Sequence, residues 1–219
     1  MLTQKNILLG ISASIAAYKS AFLVRLLVKQ GANVKVVMTP SAKHFITPLT
    51  LSALSKNSVL SEFTSGSYGD WNSHIELARW ADLILIAPAT ADLIAKMANG
   101  ICDNLLLTVY FSAPTIHSQY LLKKKNKNSL SASILSDKKN DDGVPVLVAP
   151  AMDTEMYMHP ATKLNLQKIQ SFGNIIIPSS TGELASGLLG EGRMAEPEMI
   201  LHFISEYLKK KARQKTRKH

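Results

Sequence analysis

The sequence predicts a three-layer αβα domain built on a doubly wound parallel sheet. Three observations carry that expectation. The runs at 7–11, 34–38 and 83–87 are mostly apolar and do not alternate, as strands covered on both faces must be. Longer segments with apolar residues at helical spacing lie between them, so strand and helix take turns along the chain. Several runs then end in small and hydroxyl residues, at the carboxyl edge where open α/β sheets bind ligands.

The elements follow in order. Asn6–Ile11 reads as the first strand, and residues 15–30 as a helix with Ala17, Ala21, Val24, Leu27 and Val28 on one face. Gly31 ends that helix, because glycine takes the left-handed cap conformation without steric cost. Asn33–Met38 is the second strand. Pro48–Ser55 and His74–Trp80 read as short helices, followed by a strand at 83–87. Residues 91–98 are helical and stop at Asn99-Gly100, and 103–111 form a further helix opening on Asp103. Strands at 146–149 and 174–177 and an amphipathic helix at 196–211 complete the pattern, with about five strands in all. Residues 1–207 therefore form one domain. The lysine-, asparagine- and serine-rich stretch 115–143 is expected to be a mobile insertion, and 208–219 a basic tail.

Composition excludes several classes. With 219 residues and 46% hydrophobic content, the chain has enough apolar surface to fold. No apolar run approaches the roughly 18 residues that a membrane span requires, and the start does not read as a signal peptide. The single Cys102 rules out an internal disulfide and suits a cytoplasmic location. The formal charge of +9 is concentrated in two places. Seven basic residues lie in the tail, and 123–142 holds six lysines against three aspartates, which leaves the body close to neutral. That distribution fits solvated segments and not a nucleic-acid surface.

The first strand runs into Gly10-Ile11-Ser12-Ala13-Ser14 at the start of a helix. Small residues let backbone N–H groups approach an anion, and Ser12 and Ser14 add hydroxyl donors. Thr39 and Ser41 follow the second strand, and Ala87-Pro88-Ala89-Thr90 ends a later one. Read singly, each turn is as well explained by helix capping. Three such turns at one edge favour a shared ligand. This is neither the G-x-G-x-x-G fingerprint nor a Walker loop. No Cys/His cluster has metal-ligand spacing, and no nucleophile elbow is present.

Taken together, Gly10–Lys19, Thr39–Pro48, His74–Asp82, Ala87–Gly100, Asp103–Leu107, Pro150–Tyr157 and Gly187–Met194 resemble the flavin-dependent cysteine decarboxylases, and most closely their coenzyme A branch. The resemblance spans about residues 5–207 and implies a flavodoxin-like, Rossmann-like fold. It implies FMN bound at a subunit interface by Gly10, Ser12, Ser14, Thr39, Ser41, Phe45, Ala87, Pro88 and Thr90. It implies a homo-oligomer, trimer or dodecamer, and in bifunctional members a phosphopantothenate-cysteine ligase domain that follows. His74 matches the family's active-site histidine, and Met152, Asp153, Met156 and Arg193 match its substrate-binding positions. The implied reaction decarboxylates 4′-phospho-N-pantothenoylcysteine, a small-molecule substrate, to 4′-phosphopantetheine through a thioaldehyde and an enethiolate.

Two positions depart from the family pattern. Asp153 stands where the family has asparagine, and an ionised carboxylate cannot donate to a substrate carboxylate. Ser186 stands where the coenzyme A branch has the cysteine that protonates the enethiolate, and a hydroxyl is a far weaker acid than a thiol. The rival readings are a peptidyl-cysteine decarboxylase that stops at the enethiol and a catalytically inactive regulatory flavoprotein.

Overall fold

The computed structural model describes residues 2–65, 70–114 and 143–216. Apart from Gly143, the insertion expected over 115–143 lies outside the described residues, as do the last residues of the basic tail.

Six strands form one parallel sheet: β1 (Asn6–Ile11), β2 (Asn33–Met38), β3 (Val59–Leu60), β6 (Leu83–Ala89), β7 (Val146–Pro150) and β8 (Ile175–Ile176). Their order is β3-β2-β1-β6-β7-β8, and every neighbouring pair is parallel. From β1 the chain winds outward through β2 and β3, then returns to β6 and winds the other way. The winding reverses between β1 and β6, and this opens a crevice at their carboxyl ends.

Period-two alternation within the central strands feeds two separate cores. Ile7, Leu9 and Ile11 of β1 face one side with Leu85 and Ala87 of β6. There they meet α1 (Lys19–Lys29), α2 (Pro48–Ser55) and α8 (Pro197–Thr216) through Leu23, Leu27, Leu51, Ile200 and Ile204. Leu8, Ile84 and Ile86 face the other side. They pack on α3 (His74–Trp80), α4 (Ala91–Asn99), α5 (Leu105–Ser112) and α7 (Pro160–Ser171). Each fully buried aliphatic side chain contributes about 1.5–3 kcal/mol, so both helix layers are held mainly by apolar burial.

Several boundaries differ from the sequence expectation for identifiable reasons. Residues 15–18 form a 3-10 turn, with Ser14 as its cap, and α1 starts only at Lys19. The helix expected from Asp103 begins at Leu105. Asn104 caps it by accepting the Leu107 N–H at 3.0 Å, while the Asp103 carboxylate is held by Lys96 at 2.8 Å. As expected, α4 ends at Gly100, with φ of 77°. The four-residue spacing of Met152 and Met156 fits a helical turn with Asp153 as its N-cap, and α6 (Thr154–Met158) forms there with that cap. The expectation did not include the strand β3, the hairpins β4–β5 (Thr64–Ser65, Asp70–Trp71) and β9–β10 (Ser180–Glu183, Leu189–Arg193), or the helix α7.

Candidate active site

Two cavities share a wall made of Ser14, Ala151 and Met152. The first, of about 540 Å³, lies over the carboxyl ends of β1, β2 and β6. Its near end is built from hydroxyls and backbone: Ser12, Ser14, Thr39, Ser41 and Thr90. Buried Ser12 ties two strand ends together. Its Oγ donates to the Pro88 carbonyl at 2.8 Å and accepts the Thr90 N–H at 3.0 Å. The carbonyl of Ala87, just before the cis Ala87-Pro88 bond, accepts from Ser20 Oγ at 3.0 Å. Thr90 in turn caps α4, whose N-terminus therefore opens on the cavity.

Thr39 bears most directly on the ligand. Its Oγ1 is buried and has no hydrogen-bond partner, yet it lines the cavity. A buried hydroxyl without a partner costs free energy, and a ligand oxygen would offset that cost. Ser14 accepts the Ala16 N–H at 3.2 Å, which leaves its own hydrogen free to donate. Neutral hydroxyl donors beside helix starts suit a phosphate group, and a volume of about 540 Å³ lies in the range of cofactor sites. The residues present therefore fit FMN.

The far end is charged. Lys96 lies 2.8 Å from Asp103 and 3.2 Å from Asp92. The hydrogen bond to Asp103 raises the Lys96 pKa and holds the Asp103 carboxyl below its ordinary range.

The second cavity, of about 440 Å³, is roofed by the β9–β10 hairpin. Met152, Asp153, Ser186 and Arg193 line it together with Lys19 and Glu183. The hairpin is pressed onto the start of α6. The Met152 N–H donates to the Gly192 carbonyl at 3.0 Å, and Thr154 Oγ1 donates to the Glu191 carbonyl at 2.9 Å. Gly192, at φ of 119°, approaches so closely that a Cβ would sit 2.5 Å from the Met152 carbonyl oxygen. Asp153 caps α6, with Oδ1 accepting the Thr154 N–H at 2.7 Å. Lys19 is buried and donates to Glu196 at 2.8 Å and to the Met194 carbonyl at 3.1 Å; Arg193 reaches the same Glu196 oxygen at 2.9 Å. The hydrogen bond from Lys19 lowers the Glu196 pKa.

Most of the residues singled out in the sequence line one cavity or the other. Ser12, Ser14, Thr39, Ser41, Thr90, Met152 and Met156 line the first, and Asp153, Ser186 and Arg193 the second. Gly10, Phe45, Ala87, Pro88 and His74 line neither in a single chain. Gly10 has a structural reason to be glycine: a Cβ there would meet the Leu106 side chain at 2.5 Å. His74 opens α3, its Nδ1 is buried without a partner, and Trp71 lies edge-on at 5.9 Å. Sequence reasoning missed Lys19, Asp92, Lys96, Asn104 and Glu183. Only the i,i+4 spacing of Asp92 and Lys96 carried a signal.

A family profile described as Flavoprotein matches residues 1–209. The chain is 40% identical over 211 residues to the coenzyme A biosynthesis bifunctional protein CoaBC of Bacillus subtilis (strain 168), covering 94% of this chain and 45% of that protein. It is 50% identical over 166 residues to a cysteine/cysteine sulfinic acid decarboxylase of an unknown prokaryotic organism, covering 76% and 38%. The chain thus spans less than half the length of these curated relatives. Among solved structures it resembles a mutant PPC decarboxylase complexed with pantothenoylaminoethenethiol, with TM-score 0.71 and 31% identity over 94% of this chain and 99% of that one. The FMN binding protein AtHal3 aligns with TM-score 0.67 and 30% identity, covering 94% and 98%. A doubly wound sheet, a cavity at its switch point and a profile match along nearly the whole chain lead to one conclusion: the chain belongs to the flavoprotein family.

Proposed function

We propose that this chain is an FMN-dependent decarboxylase of cysteine-derived carboxylates, acting on 4′-phospho-N-pantothenoylcysteine to form 4′-phosphopantetheine in coenzyme A biosynthesis. The observation that carries this reading is the pair of cavities that share Ser14, Ala151 and Met152, the first with hydroxyl donors at the strand ends and the second lined by Lys19, Asp153, Glu183 and Arg193. Ser14, Thr39 and the α4 N-terminus would hold the FMN phosphate. Bound FMN would supply the reversible two-electron oxidation of the thiol side that makes loss of carbon dioxide easy. Arg193 would orient the substrate carboxylate, and the β9–β10 hairpin would exclude water.

The His74 of a second copy would complete the site, since no single chain brings His74 to either cavity. An exposed apolar stripe supports an oligomer: Ile15, Tyr18 and Phe22 are 50–60% exposed at helical spacing. Trimers, and dodecamers of trimers, are the proposed assemblies. The names of the bifunctional relatives support a ligase domain or protein as the functional partner.

One observation favours a second reading, in which turnover stops at the enethiol. Ser186 lines the second cavity at the position expected to hold the proton-donating cysteine. Anaerobic incubation of the FMN-loaded protein with 4′-phospho-N-pantothenoylcysteine, with product mass as the readout, separates the two. Saturated 4′-phosphopantetheine supports the full cycle, and a product two hydrogens lighter supports the arrested one. An absence of carbon dioxide release would sink both.

A further inference from the structure

The second cavity holds more negative than positive charge before any substrate enters. Lys19 and Arg193 both engage the single carboxylate of Glu196. Asp153 and Glu183 add two further carboxylates to the wall, and among the described residues no cation pairs with either. A substrate carboxylate bound here therefore meets a like charge. Glu183 is exposed on β9, where water screens it. Asp153 is half-buried and fixed in place. Its Oδ1 accepts the Thr154 N–H at 2.7 Å, while no hydrogen bond among the described residues engages Oδ2. It follows directly on Ala151 and Met152, part of the wall shared with the first cavity, so it stands at the junction of the two cavities.

Two carboxylates brought together out of water cannot both stay ionised, and the pair takes up a shared proton. The reaction needs that proton. Replacing a carboxylate by hydrogen consumes one proton for each carbon dioxide released, and the proton must reach Cα. The other groups of the wall that carry protons are the hydroxyls of Ser14 and Ser186, the phenol of Tyr18, the Lys19 ammonium and the Arg193 guanidinium. Groups of these kinds are weak acids near neutral pH, and Lys19 is also held by Glu196 and the Met194 carbonyl. A carboxyl group is an acid of suitable strength, and Asp153 is the one held at the junction.

We infer that Asp153 takes up a proton together with the substrate carboxylate and, once carbon dioxide has left, delivers it to Cα. In the bound state the proton lies between the two carboxyl groups, so that Asp153 donates to one substrate oxygen while Arg193 holds the other. The bond between Cα and the carboxyl carbon then breaks. Its electron pair stays with the substrate, carbon dioxide leaves, and the proton remains on Asp153. With the neighbouring negative charge gone, nothing holds the proton there, and it passes to Cα. The sequence consumes one proton from solvent, involves no net oxidation or reduction, and leaves Asp153 a carboxylate again. This inference rests on the proposed decarboxylase reading and supplies the acid that Ser186 cannot.

Calorimetric titration of the FMN-loaded full chain with 4′-phospho-N-pantothenoylserine, whose hydroxyl replaces the reactive thiol, reads proton uptake without turnover. In buffers of different ionisation enthalpy, its binding should take up about one proton more than binding of the same compound without its carboxylate. Asp153→Asn keeps a residue that caps helices well, and it should abolish that difference without weakening binding. With 4′-phospho-N-pantothenoylcysteine, the same variant should still release carbon dioxide but form saturated product about a hundredfold more slowly, while the product two hydrogens lighter accumulates and KM does not rise. No extra proton in the unaltered protein, the same extra proton in Asp153→Asn, or saturated product at an undiminished rate from that variant overturns the inference. Carbon dioxide release by the unaltered protein without the proton uptake overturns this inference alone. No release from the cysteine compound overturns the decarboxylase reading, and this inference with it.

Discussion

The first cavity is lined at its near end by hydroxyls and backbone from the ends of β1, β2 and β6, whereas the second is lined by charged side chains from α1, α6 and the β9–β10 hairpin. The first rests on the central strands of the sheet, where β1 and β2 pair without interruption from Asn6–Asn33 to Ile11–Met38. The second depends on a hairpin pinned to the rest of the protein through a few contacts near Gly190 and Gly192. A rigid edge suits a resident cofactor, and a separable roof suits a substrate that must enter and leave.

Breaking the roof should have the largest effect. Gly192→Val forces β10 away from Met152 and removes the positive-φ glycine at that point. Decarboxylase activity should fall by about a hundredfold or more, while FMN affinity, measured by fluorescence titration, stays within a few-fold. Loss of FMN binding in that variant would show that the two cavities are not independent. The reciprocal change is Thr39→Val, which deletes the buried hydroxyl without a partner. It should weaken FMN binding roughly tenfold to a hundredfold, with little change in thermal stability of the apoprotein. Unchanged affinity would remove Thr39 from the cofactor site.

Gly10→Ala tests whether that glycine serves packing or the ligand. The new methyl collides with Leu106, so the apoprotein should lose about 1–3 kcal/mol by urea unfolding, and Leu106→Val should restore part of it. The smallest effect is expected at Glu196. Its pKa is lowered in the folded state, chiefly by Lys19, so its contribution is present above the unfolded-state value and is lost as pH falls through the folded one. Because the Glu196 side chain is 42% exposed, solvent screening limits the loss in Glu196→Gln to about 1 kcal/mol near neutrality. Its stability should also fall less steeply on the acid side than that of the unaltered protein. Parallel pH profiles would mean that the shared ion pair contributes nothing.

The same contrast explains what could be read from the sequence. The switch-point edge was legible because each of its parts is local: a strand, a hydroxyl-rich turn and a helix start within a few residues, as in Ile11–Ser14 and Ala89–Thr90. The second cavity was harder to read, because Lys19, Asp153, Glu183 and Arg193 meet only after the hairpin folds over α6. Family resemblance pointed to Asp153, Ser186 and Arg193, but no local pattern pointed to Lys19 or Glu183. The hairpin strands Ser180–Glu183 and Leu189–Arg193 hold glycine and charge where strand propensity expects branched residues, so their pairing leaves little signal. Gly10 shows the opposite case. It sits in a motif that suggests phosphate, yet its immediate neighbour is a leucine side chain of α5.

The order β3-β2-β1-β6-β7-β8 also affects how the chain is made. The first strand emerges with β2 soon available on one side, but its partner on the other side is β6, with Ile7 facing Leu83. At ribosomal rates of about 5–20 residues per second, the 76 positions from Ile7 to Leu83 take roughly 4–15 s to appear. Throughout that interval a nascent βαβ unit exposes an open parallel edge at the centre of the future sheet. The strand that anchors the ligand edge in the finished protein thus keeps one edge open for the longest wait between paired strands of the sheet, when chaperone protection against edge-to-edge pairing would matter most.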